Sequence, residues 1–355
     1  MKKILILVIA LALVGGVAMA QVAVSGEVEA RIQRGDDGSH SQTFARVIVS
    51  GNVDEYNRIF IRMDQTPGTP PGTTGPGALG VNRAHITTNL GAILGTTDAG
   101  VGISWNTGWN EWGYADVAEI DAYNWSGLAV SKPAGTGTKL SFRVMDMVNI
   151  HAAVRLLNTD MVADNTAAVI GLDGGVDVGV GNAVFELVFA QTPDAPTAAS
   201  DNKELGVAAG LLGFEAVEDL TLGLTTAWTF FLDAEGNDPE FGFNVALQAA
   251  YGGLVSADFV LVGQDGSEAN ALGIGIGLTP VDFASLQFGV GIGLDDDVYE
   301  DAFDSFDASV LFSLGRATAR FGYYWLADDG DGIVPAEFAR SNDFSGIYAR
   351  VKLAF

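Results

Sequence analysis

From residue 22 onward, apolar and polar side chains alternate with a period of two in stretches of about ten residues. No other feature narrows the fold of this chain as far. In VAVSGEVEARI the residues Val22, Val24, Val28, Ala30 and Ile32 share one face, and Ser25, Glu27, Glu29 and Arg31 share the other. RIFIRMD sets Ile59, Ile61 and Met63 against Arg58, Phe60, Arg62 and Asp64, and LTLGLTTAWTF aligns Leu220, Leu222, Leu224, Thr226, Trp228 and Phe230. The segments FGFNVALQAAY, ALGIGIGL, SLQFGVGIGL, FDASVLFSL and ATARFGYYWL repeat the pattern. Each reads as a strand with one oily and one wet face, and about ten residues is what a tilted strand needs to cross a bilayer. Mean hydropathy is positive, at +0.26, yet after residue 20 no apolar run approaches the roughly 18 residues of a spanning helix.

The connectors between these strands alternate in length. Short links such as VDEYN, YGG, TPVDFA and LGR take turns with long polar ones at 66–80, 192–203, 233–242, 295–305 and 327–343. A barrel with two unlike rims has this layout, with short turns in the periplasm and long loops outside the cell. The expected fold is therefore all-β, a transmembrane antiparallel β-barrel of sixteen to eighteen strands, closing on an even number. Alternation is least regular from Val144 to Gly181, and IHAAVRLL within it reads as a loop helix carrying His151.

Residues 1–20 carry Lys2 and Lys3, the apolar run from Ile4 to Val14, and the small-residue end Ala18-Met19-Ala20. That is the pattern of a secretory signal peptide, which leaves 21–355 as a single barrel domain.

Composition excludes several classes of function. Eighteen Lys and Arg face 44 Asp and Glu, a net charge of −26, so the chain lacks the basic face that nucleic acid requires. With no Cys there is no disulfide framework, thiolate nucleophile or Cys-ligated metal. The bases available for catalysis are His40, in the first loop sequence GDDGSHSQ, His85 and His151. None sits in a recognisable nucleophile motif, and no enzyme is expected. The glycines alternate at period two rather than opening a helix in a phosphate loop. No cofactor is expected either. Asp295-Asp296-Asp297 with Glu300 and Asp301, and Asp328-Asp329 with Asp331, could hold calcium, but neither has the spacing of an EF-hand. An anionic surface bridged by divalent ions to lipopolysaccharide is the plainer reading.

Aromatic residues fall toward the loop-side ends of strands, at Trp105, Trp109, Trp228, Phe230, Tyr323 and Trp325, as membrane girdles do. The final segment SGIYARVKLAF aligns Ile347, Ala349, Val351, Leu353 and Phe355 against Tyr348, Arg350 and Lys352. An amphipathic closing strand ending in Phe resembles the assembly signal of Gram-negative outer-membrane barrels. Together with the export signal and the alternating connectors, the chain resembles the bacterial porins over nearly its whole length. The resemblance implies a water-filled channel for ions and small hydrophilic solutes, in a homotrimer, with outer-membrane lipid, lipopolysaccharide and the assembly machinery as partners.

Two sets of charges are the candidate pore lining. Alternation turns Arg31, Arg58 and Arg62 away from lipid, with Arg46 and Arg83 less clearly patterned. Closure of the barrel adds Arg320, Arg350 and Lys352 to the same wall. A charge facing lipid at mid-depth would cost about 2–4 kcal/mol, which favours the inward placement. Porins fold the long loop after the fifth strand into the channel, and the corresponding stretch here carries Glu111, Asp116, Glu119 and Asp121. Opposed carboxylates and guanidiniums would set a transverse field across a constriction. Acidic mouths set against an arginine wall lead to an expectation of modest cation preference. Gly273, Gly275, Gly289 and Gly291 are expected on the inner face, where an inserted loop could pack or the lumen could widen. The alternative function is a structural or adhesive surface barrel with a closed lumen.

Overall fold

The computed structural model describes residues 22–35, 38–65, 79–111, 134–145, 147–155, 167–193, 201–232, 241–264, 270–294, 303–326 and 345–355. The proposed export signal and most of the long connectors lie outside them. Among the described residues the strands are β1 (Ala23–Gly35), β2 (Gly38–Asn52), β3 (Asn57–Gln65), β4 (Leu79–Asn89), β5 (Val101–Glu111) and β6 (Ala134–Val144). They continue as β7 (Val148–Arg155), β8 (Ala167–Asp177), β9 (Asn182–Pro193), β10 (Asp201–Val217), β11 (Leu220–Phe231) and β12 (Phe241–Tyr251). The remainder are β13 (Val255–Gln264), β14 (Ala271–Val281), β15 (Ala284–Gly293), β16 (Phe303–Leu314), β17 (Ala317–Leu326) and β18 (Gly346–Ala354). Each strand pairs antiparallel with the next, and β1 pairs with β18, so the eighteen strands form one closed ring. No helix among the described residues is long and apolar enough to cross a membrane.

The short connectors 53–56, 90–100, 145–147, 178–181, 218–219, 252–254, 282–283 and 315–316 all lie at one rim. In the first of them the Asp54 carboxylate accepts from the backbone N–H of Tyr56 and Asn57, at 2.8 and 2.7 Å, and from the Asn57 amide. The Asn57 amide first, then the Tyr56 N–H, holds the Asp54 carboxyl below the usual carboxylate range. In 90–100 the side chain of Asn89 caps a one-turn helix, Leu90–Leu94, by accepting from the N–H of Ala92 at 3.0 Å.

Three details depart from the sequence reading. His151 lies on a strand, β7, and not on a loop helix. Ala153, next after His151 on the inner face, breaks the polar half of the alternation, so IHAAVRLL reads less clearly as a strand. The supposed first loop around His40 is mostly strand, with β1 and β2 paired up to Gly35–Gly38. Trp105 stands in the half of β5 nearer the turn rim, bonded through its indole N–H to Thr138 Oγ1 at 2.5 Å, and so outside the loop-side girdle expected of it.

The register assigns the two faces. Large apolar side chains such as Val28, Ile32, Ile170, Leu224, Phe259, Phe321 and Val351 are exposed on the outside, where lipid would cover them. The inside divides into two sectors. From β16 through β1 to β8 it carries most of the inward charges. From β8 to β15 it is lined largely by small residues, among them Ala190, Ala208, Ala227, Ala246 and Ala271. The glycine pairs Gly273–Gly291 and Gly275–Gly289 oppose each other on this inner face.

At the seam, Gly26 N–H donates to Phe355 O and Phe355 N–H donates to Gly26 O, both at 3.0 Å. A Cβ at Gly26 would stand 2.2 Å from the Arg46 carbonyl oxygen and 2.7 Å from Phe355 Cζ, so only glycine lets the last residue lie down here. Phe355 itself is exposed on the outer face. Deleting Phe355 removes both backbone bonds, and is expected to lower the yield of folded barrel without changing the conductance of what does insert. Yield measured by the heat-dependent shift on denaturing gels checks this, and normal yield would remove the assigned role.

Candidate functional site

The inner wall from β16 across the seam to β4 is built from ion pairs that run from strand to strand. Lys352 Nζ on β18 meets Glu27 Oε2 on β1 at 2.6 Å, and Glu27 Oε1 accepts from Arg46 Nη1 on β2 at 3.3 Å. Arg46 Nε reaches Asp64 Oδ1 on β3 at 2.9 Å, and Asp64 Oδ2 accepts from Arg62 Nη2 at 2.5 Å and from Asn82 Nδ2 on β4 at 3.0 Å. Four carboxylate–cation contacts thus link neighbouring side chains in one circumferential row.

A second row lies beside it. Arg320, Arg350 and Arg31 are successive cross-strand partners on β17, β18 and β1. Three guanidiniums in register would repel one another, and each is met by a carboxylate. Glu29 pairs with Arg31 and with Arg350, the latter at 2.8 Å. Asp307 on β16 holds Arg320 Nη2 at 2.8 Å and accepts from Tyr348 Oη at 2.7 Å, while Ser309 Oγ accepts from Arg320 Nε at 2.9 Å. Tyr348 also offers its ring to the Arg320 guanidinium, 5.9 Å from the centroid.

Asp64 is the carboxylate of the neighbouring sector on β3 and β4, which also holds Arg58, Arg62, Arg83 and His85. Arg58 reaches the Ser50 hydroxyl at 3.3 Å and no carboxylate among the described residues. Arg83 is the cross-strand partner of Arg62, at a register shift that brings both Asn82 and Arg83 to this wall. His85 stacks on Phe60, with ring centroids 5.1 Å apart and planes inclined by 26°. Side chains of Arg31, Arg46, Arg62, Arg350 and Lys352 keep between 17% and 35% of their surface exposed, whereas Asp307 keeps none. The row therefore has a wet side, and that side is the lumen.

Glu111 ends β5 opposite Ala134, so the strand runs further than the sequence pattern suggested. Its side chain, and the whole of Asp116, Glu119 and Asp121, lie outside the described residues. The same is true of the acidic clusters at 295–301 and 328–331, and no group of three or more His, Asp and Glu able to hold a metal occurs among the described residues.

A further cluster had no signal in the sequence. On β6, β7 and β8, Ser141 Oγ lies 2.9 Å from His151 Nδ1, and His151 Nε2 lies 2.5 Å from Asp173 Oδ2. Asn149 Nδ2 donates to the other carboxylate oxygen at 2.9 Å. Ser141 and His151 are 10 residues apart along the chain and His151 and Asp173 are 22 apart, and only the register brings them together.

No protein-family model and no curated protein matches the chain. Solved structures do match. A triple mutant of the porin of Rhodopseudomonas blastica superimposes with a TM-score of 0.52 at 12% identity, covering 94% of this chain and all of that one. Another mutant of the same porin gives a TM-score of 0.52 at 12% identity with the same coverage. A structure titled for the asymmetric conductivity of engineered proteins gives 0.51 at 13%, again over 94% of this chain and all of the other. At such identities the likeness is one of fold, and the chain has the fold of the porin barrels.

Proposed function

We propose that the protein is an outer-membrane porin, a water-filled channel through which ions and small hydrophilic solutes diffuse passively. The observation that carries this reading is the inward-facing, partly exposed row of ion pairs from Lys352 to Arg62. Charges left partly bare on the inside of a closed barrel need water beside them, since dry burial of such groups is costly. The exposed apolar outer face supports an integral place in the membrane. The homotrimer, the contacts with lipid and lipopolysaccharide, and delivery by the assembly machinery rest on the porin resemblance alone.

Glu111, Asp116, Glu119 and Asp121 supply the acidic half of the constriction in this reading, opposite the wall of Arg31, Arg46, Arg58, Arg62, Arg83, Arg320 and Arg350. Along that wall the basic groups outnumber Glu27, Glu29, Asp64 and Asp307. Preference for cations must then come from the mouths, where the excess carboxylates of a chain of net charge −26 gather counter-ions. Pairing confines the field of most wall arginines to their neighbours, so the mouths prevail weakly, and less so as salt shortens the Debye length from about 10 Å at 0.1 M.

Purified protein in a planar bilayer is expected to give stepwise open-channel conductance, and persistent silence would favour the closed surface barrel instead. Reversal potentials in a KCl gradient are expected to show modest cation preference that fades as salt rises. Replacing Arg58 and Arg62 together by Gln should strengthen that preference and raise conductance. No change in either would mean that these side chains do not line the path. For the loop, Glu111→Cys and Asp116→Cys should react with small thiol reagents that reduce conductance, while large impermeant reagents label them slowly on intact cells. Rapid labelling by the large reagent would put those positions outside the channel.

A further inference from the structure

Three strands along from the arginine sector, the wall holds a constellation for which ion conduction has no use. Ser141 and His151 are directly opposed on β6 and β7. His151 is opposed on β8 by Gly171, which has no side chain to block the imidazole from leaning to Asp173, two residues further on. The carboxylate of Asp173 can only accept, so in the neutral imidazole Nε2 is the nitrogen that carries the proton. Nδ1 is then an acceptor, and the Ser141 hydroxyl donates to it across 2.9 Å. Asn149 Nδ2 holds the second carboxylate oxygen and fixes the plane of Asp173. Side chains of His151 and Asp173 keep only 12% and 9% of their surface, so bulk water screens the pair little.

The order is nucleophile, base, then a carboxylate that orients the base and would stabilise it once protonated. Lys139 and Arg143 stand two residues to either side of Ser141 on the same face of β6. Main-chain N–H groups of the strands are engaged in the sheet, so among the described residues these are the cations nearest in register to a developing oxyanion on Ser141.

We propose that Ser141 is an activated nucleophile that accepts acyl groups from small carboxylic esters entering the lumen. In the first step Ser141 Oγ bonds to the ester carbonyl carbon, and its proton passes to His151 Nδ1. The carbon–alkoxy bond then breaks, and the alcohol leaves with that proton. In the second step a lumen water, deprotonated by the same nitrogen, attacks the acyl-serine. The carboxylic acid is released and the hydroxyl of Ser141 is restored. No redox change occurs, and water is the co-reactant. His151 is the general base, and Asp173 and Asn149 are positioning residues.

The test uses the full barrel in detergent with two small probes, diisopropyl fluorophosphate and p-nitrophenyl acetate. Bilayer conductance of each variant reports separately that the barrel is folded and open, so failure of the channel reading and failure of this one are distinguishable. A single phosphoryl adduct is expected on Ser141 by mass spectrometry, with none in Ser141→Ala. A base of this kind contributes about 10²–10⁴-fold, so His151→Gln should slow both labelling and ester hydrolysis by at least about tenfold. Asp173→Asn should slow them to a lesser degree and shift the pH at which labelling reaches half its plateau. The proposal is overturned if Ser141 of a conducting wild-type barrel carries no adduct, or if His151→Gln labels at the wild-type rate. Hydrolysis of p-nitrophenyl acetate by Ser141→Ala at the wild-type rate would overturn it equally.

Discussion

Inside a hydrocarbon layer no water is available to satisfy a backbone N–H or C=O, so a sheet that crosses it can have no free edge. Everything else in this structure depends on how the β1–β18 seam meets that demand. Nine residue pairs join the two strands, from Glu27–Ala354 to Gly35–Gly346, and the reciprocal bonds between Gly26 and Phe355 finish the ladder at the turn rim. Closure then gives the molecule an inside, and charge can be stored there at modest cost because water remains on one side of it.

The charged wall is a consequence of register as much as of composition. Two basic residues on adjacent strands would repel if directly opposed, as Arg320, Arg350 and Arg31 are. Glu29 bridges Arg31 and Arg350, and Asp307 on the adjoining strand holds Arg320 and Tyr348, so the row holds as a network. Asp64 does the same for Arg46 and Arg62. Arg58 lacks such a carboxylate among the described residues and is held by the Ser50 hydroxyl instead.

Much of this was legible before any coordinates. The outer faces of β1, β3, β11 and β18 are apolar at most alternate positions because charge facing lipid is costly, and that demand writes the pattern directly into the sequence. Legibility fails where the inner face is not polar. Along β7 to β9 the inward residues include Ala153, Val169, Val188 and Ala190 between the polar ones, so the contrast of the faces is interrupted and His151 could be mistaken for a helical residue. The relay of Ser141, His151 and Asp173 could not be read at all. It depends on which residue of β6 stands opposite which residue of β7, and on Gly171 opening a diagonal. Arg46 and Arg83 were ambiguous for a related reason, since Ile48 shares an inward face with Arg46 and a register shift interrupts the alternation near Arg83.

The ion pairs that cross the seam also tie the electrical character of the lumen to the order in which the barrel is completed. Glu27 and Glu29 take a cation from β18 as well as one from β1 or β2. Until the last strand docks, both carboxylates stand a partner short, and Arg350 and Lys352 lie on the far side of an open edge. A partly formed barrel is therefore a different electrostatic object from the finished one. The arginine row exists as a continuous surface only after the first and last strands have found each other. Completeness of the backbone ladder and continuity of the charged inner wall are secured in a single event.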